Sequence, residues 1–339
     1  MGQTQEVTLT VVGAEVVAEH PELHHYTGEA GLAGIVRSGG LWATNYEDLN
    51  DSSEVTHLRE RLEPELEARF RKILRRRRLN SKINTAIEQS GGLNKCARDL
   101  ASDLLRSFYK STFEPMDESP VPEAIGTPYI ASLCTHTYDE YEAVNGLLSQ
   151  WRGYGGKAGF CIVFDTKRLA DLLGHEYDAF GYTHLNLSPA HYAVPSVSMA
   201  TLFPGLVDCC EEFVETALNR RPTLNDGIEQ FMAAATLVKH QAFREEREVR
   251  VVAIPISDSM RRSIAEEYPD EVIRESRPEK QLGAPGKRYI ELFRGNGQPL
   301  PIKRVIVGPS LLQDDGMKVA EGLSAGRFEV VRSDTPFKG

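Results

Sequence analysis

The segment LHHYTGEAGLAGIVRSGGLWAT, residues 23–44, carries the clearest pattern from which the fold is predicted. Its start predicts a short strand that carries His25; a helix follows, ends at a pair of glycines and leads to a second strand. Imidazole and hydroxyl groups both donate and accept hydrogen bonds, so His25 beside Tyr26 and Thr27 is suited to bind a polar ligand such as a ribose. A lone strand histidine is also common as a half-buried residue that is hydrogen-bonded to the backbone. The choice between a ligand-binding and a structural role for His25 therefore depends on the rest of the chain.

The bulk composition predicts one globular domain over residues 1–339. Hydrophobic residues make up 41% of the chain and charged residues 26%, as is usual for such proteins. The net charge of -10 argues against nucleic-acid binding over the whole surface but allows binding by a local basic patch. The chain has no apolar run of about 18 residues, so no membrane partner is expected. The start lacks a secretory signal pattern and the cysteine count of five is odd, so a cytoplasmic location is expected.

Apolar periodicity predicts an α+β fold with a mostly antiparallel sheet core and a charged helical insertion over residues 55–125 within the single domain. Asp51 or Ser52 is the expected N-cap of the first inserted helix. The predicted strands are 7–17, 128–134, 159–165, 248–254, 288–292, 302–308 and 328–331. Further helices are predicted at 147–151, 167–173, 206–219, 226–244 and 311–323.

A second cluster lies just before the apolar strand at 159–165. The segment QWRGYGGKAG, residues 150–159, combines two aromatic residues with four glycines. A loop of this kind allows a planar ring to stack on Trp151 or Tyr154 while the backbone approaches closely. A glycine-rich hairpin in which Trp151 is a hydrophobic anchor fits the segment equally well.

The third cluster is the segment KHQAFREEREVR, residues 239–250, where a predicted helix leads into the strand at 248–254. It contains Glu246 and Glu248 as a Glu-x-Glu pair at the start of that strand. Strand alternation places Glu248 on the face opposite to its apolar neighbours. A carboxylate in that position is suited to bind a ribose hydroxyl and to stabilise an oxocarbenium-like transition state in glycosyl transfer. The alternatives are a solvated charge run or an internal ion pair of Glu248 with Arg247 or Arg250.

The metal-site signal is weak. The chain has no Cys-x-x-Cys spacing, and the histidines between residues 175 and 191 lie in a predicted loop without ligand spacing. No metal ligand is therefore predicted.

The run of basic residues over 71–78 predicts a local positive patch on the helical insertion. Such a patch can hold the phosphates of a dinucleotide or of a nucleic acid. A solvated helix face balanced by the glutamates at 60–67 is the other interpretation.

The motifs together resemble those of a widespread bacterial domain family of unknown function. In chain order they are His25-Tyr26-Thr27, Trp151-x-x-Tyr154-Gly155, Glu246-x-Glu248-x-Arg250 and Val305-Ile306-Val307-Gly308-Pro309. Their order carries the resemblance, which extends from about residue 23 to residue 338.

The opening unit also resembles the first strand and helix of the ADP-ribosyltransferase superfamily, in its His-Tyr-Glu branch. In that branch a His on the first strand holds the ribose of NAD, a Tyr stacks on nicotinamide, and a Glu at the start of a later strand assists attack at the ribose C1. The resemblance therefore implies an ADP-ribosyltransferase-like split sheet, with His25 as the ribose holder. Either Tyr154 or Trp151 would be the stacking residue.

The same resemblance implies the catalytic carboxylate. Glu248 matches its position, with Glu246 as its companion, while Glu291 on the predicted strand at 288–292 competes for the role. Tyr26, Thr27 and Arg250 would complete the set of residues that bind NAD.

The expected function is that of an NAD-consuming ADP-ribosyltransferase that modifies a macromolecule, either nucleic acid or protein. The resemblance further implies a toxin or an antiphage defence effector. An NAD glycohydrolase, which passes ADP-ribose to water, is the first alternative. A metal-dependent nuclease that uses Asp51, Glu54 and the later glutamates, and a non-catalytic nucleotide-binding sensor, are the others.

Overall fold

A computed structural model of the protein describes residues 13–49, 54–113, 126–136, 140–154, 158–218, 225–283 and 286–336. The strands are β1 (Glu22–Gly28), β2 (Leu41–Asn45), β3 (Tyr129–Cys134), β4 (Gly159–Asp165), β5 (Tyr182–Pro189), β6 (His191–Ala193), β7 (Val238–His240), β8 (Glu248–Pro255), β9 (Lys280–Gly283), β10 (Gly286–Leu292), β11 (Ile302–Val307) and β12 (Glu329–Arg332). The helices are α1 (Ala14–Glu19), α2 (Glu29–Ser38), α3 (Glu54–Arg77), α4 (Ser81–Gln89), α5 (Leu93–Phe113), α6 (Glu140–Asn145), α7 (Leu148–Tyr154), α8 (Thr166–Ala179), α9 (Met199–Leu202), α10 (Pro204–Leu218), α11 (Asn225–Leu237), α12 (Asp258–Glu267) and α13 (Gln313–Ser324). Short 3-10 turns lie at Tyr46–Asp48 and Gln241–Glu246.

The strand–helix–strand unit predicted near the start of the chain is present as β1, α2 and β2. Helix α2 buries Leu32, Ile35 and Val36 in the core that the sheet lines. Gly39 ends the helix in a left-handed conformation, with φ 64°, and its N–H donates to the carbonyl of Ile35. Glycine takes this conformation at many helix ends, so the helix stops where the pair of glycines predicts.

The sheet is mostly antiparallel, in agreement with the predicted α+β class. Its strand order is β12-β11-β4-β1-β3-β2-β10-β9, and β8 pairs with both β3 and β5. Within this sheet β11 and β12 run parallel, while the pairs around β1, β3 and β8 are antiparallel. A separate two-stranded sheet pairs β6 with β7 in parallel.

Strand β3 is the place where the sheet divides. One edge of β3 pairs with β8 along its length. On the other edge, Cys134 pairs with His24 of β1, whereas Ile130 pairs with Thr44 of β2. Strands β1 and β2 therefore separate on either side of Ser132, and this gap between them is called the fork below.

The described residues form two large hydrophobic cores. The sheet core packs α2, α8 and α13 against the strands. The helical core combines α3 and α5 with α10 and α11, and it also takes in residues of β6 and β7. The helical unit is therefore larger than the insertion predicted at 55–125, because the later helices pack on the inserted ones.

Some predicted elements differ from the structure. Ala14–Glu19 is a helix rather than the end of a strand, with Val16 buried against the sheet core. The rest of the strand predicted at 7–17 and the N-cap residues Asp51 and Ser52 lie outside the described residues.

Two strands of the site region were not predicted. The segment from Tyr182 to Pro189, interpreted as loop, is β5 and pairs with β8. The helix predicted at 226–244 ends at Leu237, because Val238 to His240 pair with β6 instead. Strand pairing with a distant segment overrides the local helical pattern in both places.

A buried carboxylate holds one end of the sheet together. Glu176 of α8 is 0% exposed and binds the Arg277 guanidinium through both oxygens, each at 2.6 Å. It also accepts hydrogen bonds from the Tyr182 hydroxyl, the Phe293 N–H and the Asn296 amide. One side chain thereby joins α8, β5 and the connection between β10 and β11.

We expect Glu176→Gln to lower the free energy of unfolding by about 3–5 kcal/mol, since it leaves the buried Arg277 without its counter-charge. Urea unfolding at neutral pH measures the change. Asp171→Asn, which removes an exposed ion pair with Lys167 from the same helix, is the control and should cost less than about 1 kcal/mol. Equal losses in the two variants would show that Glu176 has no special role.

Candidate functional site

A cleft with a volume of about 250 Å³ opens at the fork. Its walls come from β1, β2, β3, β8 and β10, and from α7, β7 and the 3-10 turn Gln241–Glu246. Five of the residues singled out from the sequence line it together: His25, Tyr154, Glu246, Glu248 and Arg250. Segments far apart in the chain therefore place a histidine, an aromatic ring and two carboxylates around one space.

Three other residues predicted to bind NAD lie elsewhere. Tyr26 is 7% exposed and packs edge-on against Trp151, with ring centroids 4.6 Å apart. Trp151 is 2% exposed and its indole N–H donates to the carbonyl of Asn145. Thr27 lies beneath α2, where a Cβ on Gly31 would sit 2.0 Å from its hydroxyl oxygen. None of the three lines the cleft, so this geometry does not support their assignment to NAD binding, which stays a prediction.

Trp151 and Tyr154, the two candidates for the stacking residue, differ in their exposure. Trp151 is enclosed by backbone, because a Cβ on Gly146 or Gly308 would come within 2.6 and 2.7 Å of its ring. Tyr154 is 43% exposed and lines the cleft. Of the two aromatic residues, Tyr154 is the one with a face available for stacking.

The competing glutamate, Glu291, lies on β10 opposite Trp42. It is 7% exposed and bonded to Lys280 and Arg294. It is absent from the lining that the described residues form around the cleft. Position therefore favours Glu248 over Glu291.

His25 lies at the fork itself. Its Nδ1 is 2.8 Å from the carbonyl oxygen of Ser132, and because a carbonyl only accepts, Nδ1 carries the proton. Desolvation lowers the pKa of His25, which favours the neutral ring at pH 7. The neutral ring then presents Nε2 as a hydrogen-bond acceptor, and Nε2 has no partner among the described residues.

Glu248 belongs to a buried network of four charges. Lys239 Nζ lies 2.6 Å from Glu246 and 2.7 Å from Glu248. The Arg250 guanidinium lies 3.0 Å from Glu248 and donates at 2.7 Å to the carbonyl of Thr236. Two cations thus balance two carboxylates, which is how ionised groups are retained in a protein interior.

The backbone between the glutamates is constrained. Arg247 has φ 44°, a left-handed conformation that is uncommon and costly for a residue other than glycine. Its guanidinium binds both oxygens of Glu142 at 3.0 and 2.9 Å, and its carbonyl accepts from the N–H of Thr135. Arg247 lies in sequence between Glu246 and Glu248, the two carboxylates that contact Lys239.

The charges around Glu248 determine its ionisation. Burial alone would raise the pKa of this carboxyl, but the charges of Arg250 and Lys239 have the larger effect and lower it to about 2. Burial lowers the pKa of Lys239, whereas the charge of Glu248 and the hydrogen bonds that Lys239 donates to both glutamates raise it above its usual range. Glu248 is therefore a carboxylate, and Lys239 an ammonium, throughout the neutral pH range.

Two aromatic rings flank the mouth of the cleft. Tyr154 of α7 and Phe243 of the 3-10 turn both line it and are 43% and 37% exposed. The Lys239 ammonium lies 5.1 Å from the centre of the Phe243 ring. Exposed rings beside buried charges form a site with flat apolar faces at the entrance and hydrogen-bonding groups inside, as small-molecule sites do.

The sequence analysis placed Lys239 in the third cluster but gave it no role in the site. The available signal was a lysine seven residues before Glu246. Trp42, Thr44 and Phe243 also line the cleft. They lie in segments singled out from the sequence but had no assigned role, because only the pairing of distant strands brings them together.

Among the described residues, no three His, Cys, Asp or Glu side chains are grouped as metal ligands would be. Asp51 and the side chain of Glu54, which the nuclease alternative requires, lie outside the described part of the chain.

Within the described part of the chain, none of the helices has the length and apolar character needed to span a membrane.

Residues 150–251 match a family described as a protein of unknown function, DUF2971. No curated protein and no solved structure matches the chain. The matched segment is less than a third of the sequence, yet it runs from within α7 into β8 and so includes Tyr154, Lys239, Glu246, Glu248 and Arg250. The chain is thus similar over this segment to a family of unknown function, as predicted, and this similarity covers one wall of the cleft.

The pKa of Glu248 in the folded protein, about 2, lies below its ordinary value of 4.5. The unfolded chain therefore binds the proton more tightly, and the contribution of Glu248 to stability is lost as the pH falls from about 5 toward 2. We expect the stability difference between the wild type and Glu248→Gln to shrink over that range in urea unfolding. Glu245→Gln, an exposed neighbour, should stay within about 0.5 kcal/mol of the wild type. A Glu248→Gln difference that does not change with pH would contradict the ion-pair account.

Proposed function

We propose that the protein is an NAD-dependent ADP-ribosyltransferase that modifies a macromolecule. The observation that supports this most is the convergence of His25, Tyr154 and Glu248 on one cleft at the fork of the sheet. These are the three residue types that the sequence resemblance to the His-Tyr-Glu branch assigns to ribose binding, ring stacking and catalysis.

The size of the cleft supports partial enclosure of NAD. Typical ligand sites measure about 300–1,000 Å³, so a volume of about 250 Å³ accommodates the nicotinamide riboside half rather than a whole dinucleotide. In this arrangement nicotinamide stacks on Tyr154 at the mouth. The ribose lies further in, between His25 and Glu248.

The chemistry assigned to the residues is mainly positional. Nε2 of His25 accepts a hydrogen bond from one ribose hydroxyl, and the Glu248 carboxylate accepts one from another. When the bond between C1 of the ribose and nicotinamide breaks, nicotinamide leaves with the bonding electrons and the sugar gains oxocarbenium character. The nearby carboxylate stabilises that positive charge, and a nucleophile of the acceptor forms the new bond at C1 and gives its proton to solvent.

The buried cations fit this role. Lys239 and Arg250 keep Glu248 ionised, so the carboxylate is ready to accept a hydrogen bond at any neutral pH. They also fix its orientation before the substrate binds, and a group already in place needs no reorganisation during the reaction.

The proposal is tested by incubating the purified protein with NAD labelled in its adenylate part and a cell lysate. We expect release of nicotinamide and transfer of label to a macromolecule. Glu248→Gln should reduce the rate by about 100-fold or more, as the removal of a group that stabilises the transition state does. Glu291→Gln, which changes the competing glutamate outside the cleft, is the matched control and should retain activity.

Each alternative gives a different result. Free ADP-ribose without labelled macromolecule would assign an NAD glycohydrolase in place of a transferase. Full activity of folded Glu248→Gln, checked by circular dichroism, would contradict the catalytic assignment. A nucleic-acid cleavage activity that ignores NAD and is abolished by EDTA would contradict the whole proposal.

A further inference from the structure

Helix α3 is electrically polarised along its length. Its first half carries glutamates at 60, 63, 65 and 67, and the run that ends the helix and continues just past it carries basic residues from 69 to 78. Cations near a helix C-terminus are favourable on their own, so the sequence pattern alone does not indicate a partner. The ion pairs of these residues separate the structural cations from the remaining ones.

Several cations of the run have structural partners. The pairs are Arg69 with Glu211 and Glu65, Arg71 with Glu67, Arg77 with Glu215, and Arg78 with Glu88. These pairs hold α3 to α10 and to α4, or lie within α3 itself. Part of the basic run is therefore the balanced helix face that the sequence left as an alternative.

Lys72, Arg75 and Arg76 differ from the others. All three are exposed, and none forms an ion pair or hydrogen bond among the described residues. Their spacing of three and four residues places them on one side of the helix. This set of three is called the basic face below.

A surface groove of about 430 Å³ adjoins the basic face. Lys72 and Arg76 line it together with Arg69, and its acidic lining residues are Glu65 and Glu211. Arg69 contacts both of these carboxylates, so the lining retains a positive excess. An anion in this groove would meet two cations that have no competing partner among the described residues.

Helix α3 also leads to the cleft. Near its start, His57 packs against His240, the last residue of β7, with ring centroids 5.0 Å apart, and β7 carries Lys239 of the candidate site. At 1.5 Å per residue, the basic face lies about 22–28 Å further along the helix. A nucleic-acid strand with about 3.4 Å per nucleotide covers that distance with roughly seven or eight nucleotides.

We propose that the basic face binds the phosphate backbone of a nucleic acid, and that this nucleic acid is the acceptor of the ADP-ribose. The second half of this inference rests on the proposed function, whereas the binding itself does not. A set of exposed cations on one side of a helix suits a phosphate chain, and arginine binds phosphate through paired hydrogen bonds. The overall charge of -10 argues against binding over the whole surface and leaves a local basic patch as the place for it.

Binding is measured without NAD, by fluorescence anisotropy of a labelled 20-base-pair DNA duplex and of its single strand, over a series of salt concentrations. We expect the wild type to bind at least one of them. The triple variant Lys72→Gln/Arg75→Gln/Arg76→Gln should bind at least tenfold more weakly. The slope of log affinity against log salt should fall by about 3, since each lost phosphate contact removes about one.

The control is Lys167→Gln/Lys318→Gln/Arg332→Gln, which removes the same charge from exposed positions on α8, α13 and β12. It should bind like the wild type. Equal weakening in both triple variants, or no binding by the wild type, would overturn the inference. Displacement of the DNA by poly-glutamate at equal charge concentration would identify an acidic-protein surface and overturn it too. Because the assay contains no NAD, an inactive enzyme that still binds would refute only the transferase proposal.

Discussion

The divided edge of β3 determines where the site lies and how His25 is oriented in it. Two strands share one edge of a third, and where they separate the carbonyl of Ser132 has no strand beside it. Ser132 is exposed, so either water or a side chain can satisfy this carbonyl, and here the His25 ring donates to it. The hydrogen bond therefore closes the sheet and, at the same time, fixes which nitrogen of the ring faces the cleft.

Charge balance is the second requirement of this arrangement. Glu248 and Arg250 occupy adjacent same-face positions of a fully buried strand, and Lys239 reaches them from a separate two-stranded sheet. Replacing such a network by apolar residues is often neutral or stabilising. A site that needs an ionised carboxylate away from bulk water cannot replace its charged residues by apolar ones. The retention of these four charges, despite the cost of their burial, therefore agrees with a functional role.

Local patterns predicted the parts of this molecule that are local. The β1–α2–β2 unit, the apolar strand β4 and the alternation of β8 were readable because each is governed by short-range periodicity and glycine placement. Strands β5 and β7 were missed, since each exists through pairing with a distant segment. The strand position of Glu248 was likewise predicted from its local sequence, while Lys239 was predicted to be helical and the local pattern left the burial of Trp151 open.

The hydrogen bond at the fork also has a consequence for how the protein folds. It joins residues that are 107 positions apart, with α3 and α5 lying between them in the chain. Contacts between distant residues form slowly, whereas neighbouring helices associate quickly. The contact between α3 and α5, which are close in the chain, is therefore expected to form before the strands meet at the fork, so that a newly made chain completes its cleft late in folding.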